Sequence, residues 1–303
     1  MEILLKQPYS FCQIGKRSNQ EDARFPDVDA PQGVKPAFAV CDGVGGQDKG
    51  EVASRTVADA IGDYMGNVDL TKSFTASDFS KVLEYVYNRL NKVMDSSNRE
   101  MATTMTFVCF HSNGVLCAHM GDSRIYHIRP GVGILYQSED HSLVNALVHS
   151  GNITPEEAIN HPQSNVITRC VGYVEKGMEK PSATTMQIDD VEEGDYFFLC
   201  SDGVLHKVDD LKLYEILSSN ISDKEKIQIL AETSKSSSDN NTAYLICVDK
   251  VIDSDRDFEE VVGDDCAGDT TPLRNRNGVS EEAFPSKQKA GQKFTQFLKD
   301  LFN

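Results

Sequence analysis

Short apolar segments bounded by turn residues recur along most of the chain, and they limit the folds that it can adopt. Segments of this kind predict β-strands. The predicted strands are Ala37–Cys41, Thr104–Phe110, Val115–Met120, Arg124–Arg129, Asp195–Cys200 and Ala243–Val248. Asn113-Gly114 predicts a hairpin between two of them, and Pro130-Gly131 ends another.

Two long segments with helical periodicity interrupt the strands. In Glu51–Met65 and in Asp78–Met94 the apolar residues recur on one face. Two shorter helices are predicted to start at the capping boxes Thr154–Glu157 and Ser222–Glu225. Long adjacent helices between runs of antiparallel strands indicate an α+β layered domain.

Composition is typical of a soluble globular protein. Of the 303 residues, 39% are apolar and 25% are charged, and no segment is apolar enough to cross a bilayer. The first residues lack the features of a secretory signal. The eight cysteines form no C-x-x-C pair, and several lie in apolar segments, as small buried side chains do in a reducing compartment. We therefore expect a cytoplasmic protein.

The net charge of −17 narrows the range of partners. A surface this acidic repels the phosphates of nucleic acids, so a DNA- or RNA-binding function is not expected. It favours basic partners and divalent cations instead.

Acidic motifs follow the apolar segments. They are Arg17–Asp22, Cys41–Gly46, Gly121–Arg124, Ser201–Gly203 and Asp239-Asn240. Asp42 and Asp202 each come just after a predicted buried strand and just before a glycine. A single Asp-Gly pair is more often an ordinary turn. Two pairs that both close buried strands are better explained by a cleft into which the strands direct their carboxylates.

Several carboxylates in one cleft would repel one another and raise one another's pKa values. Bound divalent cations remove that repulsion, and all-oxygen ligands favour Mg²⁺ or Mn²⁺ over zinc. Gly43 would let its backbone carbonyl approach such an ion. The fork-shaped cation of Arg17 would suit a phosphate dianion, although a surface arginine or an ion pair with Glu21 are the plainer alternatives.

Seven stretches, in order, resemble the type 2C, metal-dependent protein phosphatase family in its compact bacterial form. They are GKRSNQEDA, FAVCDGVGGQDKGEVAS, MATTMTFVCF, AHMGDSRIYHIRPG, the run from SEDHSLV to TRCVG, GDYFFLCSDGV and DNNTAYLICVD. Seven ordered matches are far more specific than any one motif. The resemblance implies a four-layer α-β-β-α sandwich, in which two antiparallel sheets are flanked by helix pairs.

The resemblance also implies a ligand set for two ions. Asp42 would bridge both ions. The Gly43 carbonyl and Asp22, with Glu21 through water, would serve one ion, and the other would be served by Asp202 and Asp239.

Three more features follow from the resemblance. Asp122, together with the position of Asp202, would hold a third and weaker ion. Arg17 would bind the substrate phosphate. The segment His141–Gly172 resembles a flap beside the site that affects substrate choice, and it is called the flap below.

The resemblance implies hydrolysis of phosphoserine and phosphothreonine in proteins. Two ions about 4 Å apart lower the pKa of a bridging water, and the resulting hydroxide attacks phosphorus in line. Val44 stands where animal members have a histidine that is proposed as the general acid, so the proton donor is not identified. A silent binding domain and a phosphatase for small molecules remain alternatives, but the intact set of aspartates disfavours the former.

Three regions are expected along the chain. Residues 1–251 would form the phosphatase domain, residues 252–286 an acidic and polar linker, and residues 287–303 an amphipathic basic helix. That helix could dock on its own domain, bind a partner or a membrane surface, or cover the acidic cleft. We expect a monomer whose substrates are phosphorylated by a serine/threonine kinase.

Overall fold

A computed structural model describes residues 1–44, 49–93, 100–159, 161–175 and 177–252 of the chain. Its strands, in chain order, are β1 (Glu2–Leu5), β2 (Tyr9–Gln13), β3 (Asp22–Phe25), β4 (Ala37–Val44), β5 (Ala102–Thr103), β6 (Met105–His111), β7 (Gly114–Met120), β8 (Arg124–Arg129), β9 (Gly133–Gln137), β10 (Val171–Gly172), β11 (Thr184–Ile188), β12 (Tyr196–Cys200) and β13 (Asn241–Ile252). Its helices are α1 (Gly50–Met65), α2 (Ala76–Val93), α3 (Leu143–His149), α4 (Pro155–Ile159), α5 (Asp202–Leu205), α6 (Asp210–Ser218) and α7 (Asp223–Ser234).

The described strands form two sheets with antiparallel pairing throughout. The seven-stranded sheet has the order β10-β5-β4-β6-β7-β11, and β3 pairs with β4 as well. The six-stranded sheet has the order β1-β13-β12-β8-β9, and β2 pairs with β13 as well. Strand β13 therefore has β12 along one edge and both β1 and β2 along the other.

Successive side chains of β4 point to opposite faces of its sheet, and this alternation shows how the layers are built. Phe38 and Val40 point into a core shared by the two sheets, where they meet residues such as Phe197 and Tyr244. The intervening residues of β4 pack on the opposite face against α1 and α2. Because both faces of the strand are buried, its sequence is almost continuously apolar rather than alternating.

The six-stranded sheet is covered by its own helices. The Tyr126 hydroxyl of β8 donates to Asp210 of α6 at 2.8 Å, and the Tyr196 hydroxyl of β12 donates to Asp223 of α7 at 2.6 Å. The order of layers is therefore helices, seven-stranded sheet, six-stranded sheet, helices. This arrangement confirms the predicted α+β fold with four α-β-β-α layers.

The local predictions fared unevenly. The hairpin at Asn113-Gly114 joins β6 to β7, and both predicted capping boxes are present. The predicted end of the strand at Cys41 is wrong. Strand β4 continues to Val44, because Gly43 and Val44 pair with β5.

The boundary at residue 251 stays a prediction, although β13 ends next to it, at Ile252. The linker and the amphipathic helix predicted for 287–303 lie outside the described residues. Within the described ranges, no helix is both long and apolar enough to span a membrane.

Candidate active site

A cleft of about 280 Å³ lies at the end of the sandwich where loops from both sheets meet. Its lining contains almost all of the residues predicted from sequence. They are Arg17, Glu21, Asp42, Gly43, Asp122, Asp202 and Asp239. Asp22 lies just behind this wall and is only 2% exposed. The structure thus gathers every predicted site residue at one place.

Asp22 and Asp42 face each other because strands β3 and β4 pair in register. The backbone N–H of Asp42 donates to the Thr104 hydroxyl at 3.0 Å, and the Thr104 N–H donates to the Asp42 carbonyl at 2.8 Å. These bonds hold the Asp42 backbone on both sides. The seven-stranded sheet therefore supplies a rigid pair of opposed carboxyl groups.

Ser201 joins this pair to the other sheet. Its hydroxyl donates to Asp22 Oδ2 at 2.8 Å and accepts from the Thr242 N–H at 3.0 Å. Ser201 also precedes Asp202, the first residue of α5. The position of Asp22 relative to Asp202 is therefore fixed by a hydrogen bond across the seam between the sheets.

Glycine is required after both strand-end aspartates because backbones approach closely there. A Cβ on Gly43 would collide with the carbonyl oxygens of Gly50 and Glu21. A Cβ on Gly203 would collide with the carbonyl oxygen of Asn240. The sequence motif thus serves packing at both positions.

Arg17 lies at the mouth of the cleft. Its guanidinium is 2.6 Å from Asp239 Oδ2, and its side chain is 54% exposed. This ion pair is made with Asp239, whereas the sequence analysis had named Glu21 as the alternative partner. Hydrogen bonding to Asp239 raises the pKa of Arg17, so the guanidinium stays charged and keeps an open side toward solvent.

The pKa values of Asp22, Asp42 and Asp122 are raised. Burial is the largest cause, and it raises the pKa of Asp22 and that of Asp122 to about 7. The charge of Asp202 adds to both shifts. Burial, followed by the charge of Asp22, also holds the pKa of Asp42 well above its usual range. Keeping these carboxyl groups charged therefore costs free energy, because the fold does not itself neutralise them.

Two observations indicate that divalent cations fit here. Oδ1 of Asp22 and Oδ1 of Asp202 are buried and have no hydrogen-bond partner. The donors are oxygen atoms, which Mg²⁺ and Mn²⁺ prefer. In the described part of the chain, no three His, Cys, Asp or Glu side chains already form a ready ligand group.

The sequence analysis missed the function of Asn240. Its Oδ1 accepts from the Glu21 N–H at 2.7 Å, and its Nδ2 donates to the Ile14 and Asn19 carbonyls at 2.9 Å each. These bonds clamp both ends of the loop that carries Arg17. In the sequence, the only indication of this function was that Asn240 follows Asp239. Its hydrogen-bond partners lie more than 200 positions away along the chain.

His206 and two flap residues were also missed as lining residues. Nε2 of His206, the residue that follows α5, is 3.8 Å from Asp202 Oδ2, and its spacing of four residues from Asp202 was the available signal. Asn165 and Ile167 bring the flap to the cleft. The predicted proximity of the flap to the site is therefore confirmed.

Comparison with known proteins agrees with this geometry. The sequence model of the family described as protein phosphatase 2C matches residues 13–241. The chain belongs to the protein phosphatase 2C family. The resemblance and the enzyme class predicted from sequence, a protein phosphatase, are confirmed.

Relatives of known name support the assignment. Protein phosphatase PhpP of Streptococcus pneumoniae is 30% identical over 239 residues, which cover 78% of this chain and 94% of PhpP. The crystal structure of serine/threonine phosphatase Stp1 from Staphylococcus aureus is 28% identical, with a TM-score of 0.68 over 82% of this chain and 98% of that chain. The catalytic domain of serine/threonine protein phosphatase PstP, solved with two manganese ions, is 27% identical, with a TM-score of 0.67 over 82% of this chain and all of that chain.

Proposed function

We propose that this protein hydrolyses phosphoserine and phosphothreonine in proteins, with two Mn²⁺ or Mg²⁺ ions held by the carboxylates of the cleft. The observation that carries the proposal is the opposed pair Asp22 and Asp42, whose pKa values are raised by burial and further by the charges of Asp202 and Asp239 across the seam. The two manganese ions bound by PstP favour the same occupants here.

The ligands are assigned from the motifs that this chain shares with its family, and the cleft lining contains the residues that the assignment needs, apart from the buried Asp22. Asp42 would contact both ions. On the side of the seven-stranded sheet, Asp22 and the Gly43 carbonyl would serve one ion, with Glu21 acting through water. Across the seam the other ion would be held by Asp202 and Asp239. Asp122, which repels Asp202, would share a third and weaker ion with it.

Two ions bound by these residues would supply an activated water, which would attack phosphorus in line with the serine or threonine oxygen. The protein's own residues orient the substrate. Arg17 presents its guanidinium at the cleft mouth and would bind the phosphoryl oxygens, which spreads their charge in the transition state. Asp239 fixes the direction of that guanidinium.

We further propose that the substrates are phosphoproteins made by a serine/threonine kinase, and that the protein acts as a monomer. The flap residues Asn165 and Ile167 reach the cleft, so a peptide substrate would contact them. This contact would separate protein substrates from small phosphate esters.

The test is hydrolysis of a phosphothreonine peptide and of p-nitrophenyl phosphate by the full chain. We expect turnover with Mn²⁺ that EDTA abolishes and that Asp42→Asn abolishes. The matched control is Asp59→Asn, which changes an exposed aspartate of α1 and should leave turnover unchanged.

Two outcomes would favour the alternatives. Turnover of the small ester without turnover of phosphopeptides would favour a phosphatase for small molecules. Absence of turnover in folded protein that still binds Mn²⁺ would favour a silent binding domain.

A further inference from the structure

His141 contacts several structures that surround the cleft. It is the first residue of the flap, and its ring stacks on that of His119 in β7, with centroids 4.5 Å apart and planes inclined by 4°. Burial lowers the pKa of both histidines, that of His141 to about 4. Both rings are therefore neutral near neutral pH, and the ring nitrogens of His141 can act as one donor and one acceptor.

On one side, His141 holds the turn that carries Asp122. The backbone N–H of His141 donates to the Gly121 carbonyl at 2.9 Å, and the Gly121 N–H donates to His141 Nδ1 at 3.1 Å. Gly121 has a φ of +106°, and a Cβ there would collide with Thr104. Two hydrogen bonds to His141 thus fix a turn that few other residues could form.

On the other side, His141 holds the returning end of the flap. Its carbonyl accepts from the Thr168 N–H at 2.7 Å, next to Ile167 in the cleft lining. Because Nδ1 accepts from the Gly121 N–H, we assign the ring proton to Nε2, which then donates to Thr184 Oγ1 at 2.9 Å and lies 3.3 Å from Nη1 of Arg169. Arg169 also donates to that hydroxyl at 3.1 Å. The start of the flap, its returning segment and strand β11 are therefore joined at His141, partly through its backbone and partly through its ring.

We propose that His141 is a positioning residue that locks the flap to the Gly121-Asp122 turn, so that the flap residues in the cleft and the Asp122 carboxylate hold their places together. The proposal deepens the proposed function, and it rests on that function only where turnover is measured. A purely structural histidine would stabilise the domain. A positioning histidine would in addition change how tightly the cleft takes cations and substrate.

The first test is amide hydrogen exchange of the full chain, which needs no turnover. In His141→Ala the Gly121 amide loses its acceptor, and we expect its exchange to accelerate about tenfold. The Thr168 amide keeps its acceptor, the backbone carbonyl of residue 141, in every variant. Faster exchange at Thr168 would therefore report a loosened flap, and unchanged exchange at Thr168 would overturn the proposal.

Two variants provide rescue and control. In His141→Asn the amide oxygen can replace Nδ1 as the acceptor for Gly121, so slow exchange at Gly121 should return. His149→Ala removes another flap histidine, one that is exposed and pairs with Glu139, and it should leave both amides unchanged. If His141→Ala does not fold, Thr184→Val removes the acceptor of the Nε2 proton and should accelerate both amides.

The second test measures Mn²⁺ binding by electron paramagnetic resonance, beside turnover of a phosphothreonine peptide. Substitution of a residue that orients metal ligands typically changes metal affinity or activity by 10–100-fold. We therefore expect His141→Ala to weaken binding of the most weakly held Mn²⁺ by about tenfold. We also expect it to raise KM more than it lowers kcat. Wild-type Mn²⁺ affinity and KM in His141→Ala would overturn the proposal. A wild-type chain without turnover would contradict the proposed function alone, since the exchange and Mn²⁺ measurements would still decide the positioning role.

Discussion

The two sheets bring different halves of one site to the seam between them. The seven-stranded sheet supplies Asp22 and Asp42, which are opposed in register, and Asp22 is only 2% exposed. The six-stranded sheet supplies Asp202 and Asp239, and Asp239 is 25% exposed and paired with Arg17. The difference teaches that both halves leave a buried carboxyl oxygen for a metal ion, whereas only the six-stranded half also carries an arginine that can face the substrate.

The same dipeptide also behaves differently in the two halves. Asp42-Gly43 continues strand β4, whereas Asp202-Gly203 begins helix α5. In both, the glycine lies against a carbonyl oxygen of a neighbouring segment. The dipeptide therefore marks a close approach of backbones, and the surrounding sheet decides its conformation.

The largest expected effect is the loss of activity when Asp202, in the half of the site that the six-stranded sheet supplies, is changed. Asp202→Asn should lower kcat/KM for a phosphopeptide by about 10³-fold or more, because a lost ion ligand removes several kcal/mol of transition-state stabilisation. Steady-state kinetics at saturating Mn²⁺ would check this, with Asp59→Asn as the control. Activity of Asp202→Asn close to wild type would mean that the seven-stranded half holds the reaction alone.

The close approach of backbones at Gly203 can be tested by measuring the stability of the folded protein. Gly203→Ala should destabilise the protein by about 3 kcal/mol, since the added methyl meets the Asn240 carbonyl and overpacking typically costs 1–3 kcal/mol. Chemical denaturation measures the change. Gly66→Ala is the matched control, because φ is −49° there and the nearest atoms to a Cβ lie 3.4 Å away. Equal stabilities of the two variants would contradict the close approach.

The buried acid of the seven-stranded half predicts an unusual pH dependence. Burial raises the pKa of Asp22 from 3.8 to about 7 in the folded state. Between these values the folded state holds the proton that the unfolded state has lost, so stability falls as pH rises through this window. In EDTA, Asp22 should therefore contribute about 2 kcal/mol more to the free energy of unfolding at pH 5 than at pH 7.5.

The difference between wild type and Asp22→Asn isolates this contribution. Denaturation of Asp22→Asn in EDTA should show a flatter dependence on pH. The Asp59→Asn control should keep the wild-type slope. An Asp22→Asn slope as steep as that of wild type would show that other groups cause the effect.

The smallest predicted effect is on substrate affinity when the exposed Arg17 is changed. Arg17→Lys keeps the charge but loses the planar fork that contacts two oxygens at once. We expect KM for a phosphopeptide to rise about tenfold with a smaller change in kcat, which kinetics over a range of substrate concentrations would measure. A fall in kcat without a change in KM would instead place Arg17 in the chemical step.

Much of this fold was predictable from residues near one another in sequence. Strand β8 and the long helices were found at nearly their true positions because their patterns extend over many residues. Strands β1, β9 and β11 were missed because they are only partly buried, so their apolar content is diluted.

The acidic residues of the site could be predicted from sequence, but the residues that hold them in place could not. Asp42 and Asp202 follow buried strands, which is a local signal. The bond from Ser201 to Asp22 and that from Asn240 to Glu21 join residues 179 and 219 positions apart. Such contacts depend on how the sheets stack, and a single sequence carries no local trace of them.

The most direct test of the account is Mn²⁺ binding to the full chain and to Asp42→Asn, counted by electron paramagnetic resonance of free Mn²⁺. The account predicts two tightly bound ions in the wild type, with both weakened in Asp42→Asn because this carboxylate would contact both. A wild type that binds no tight Mn²⁺, or an Asp42→Asn protein that binds two ions as tightly as wild type, would contradict the claim that the opposed carboxylates at the seam are a cation site.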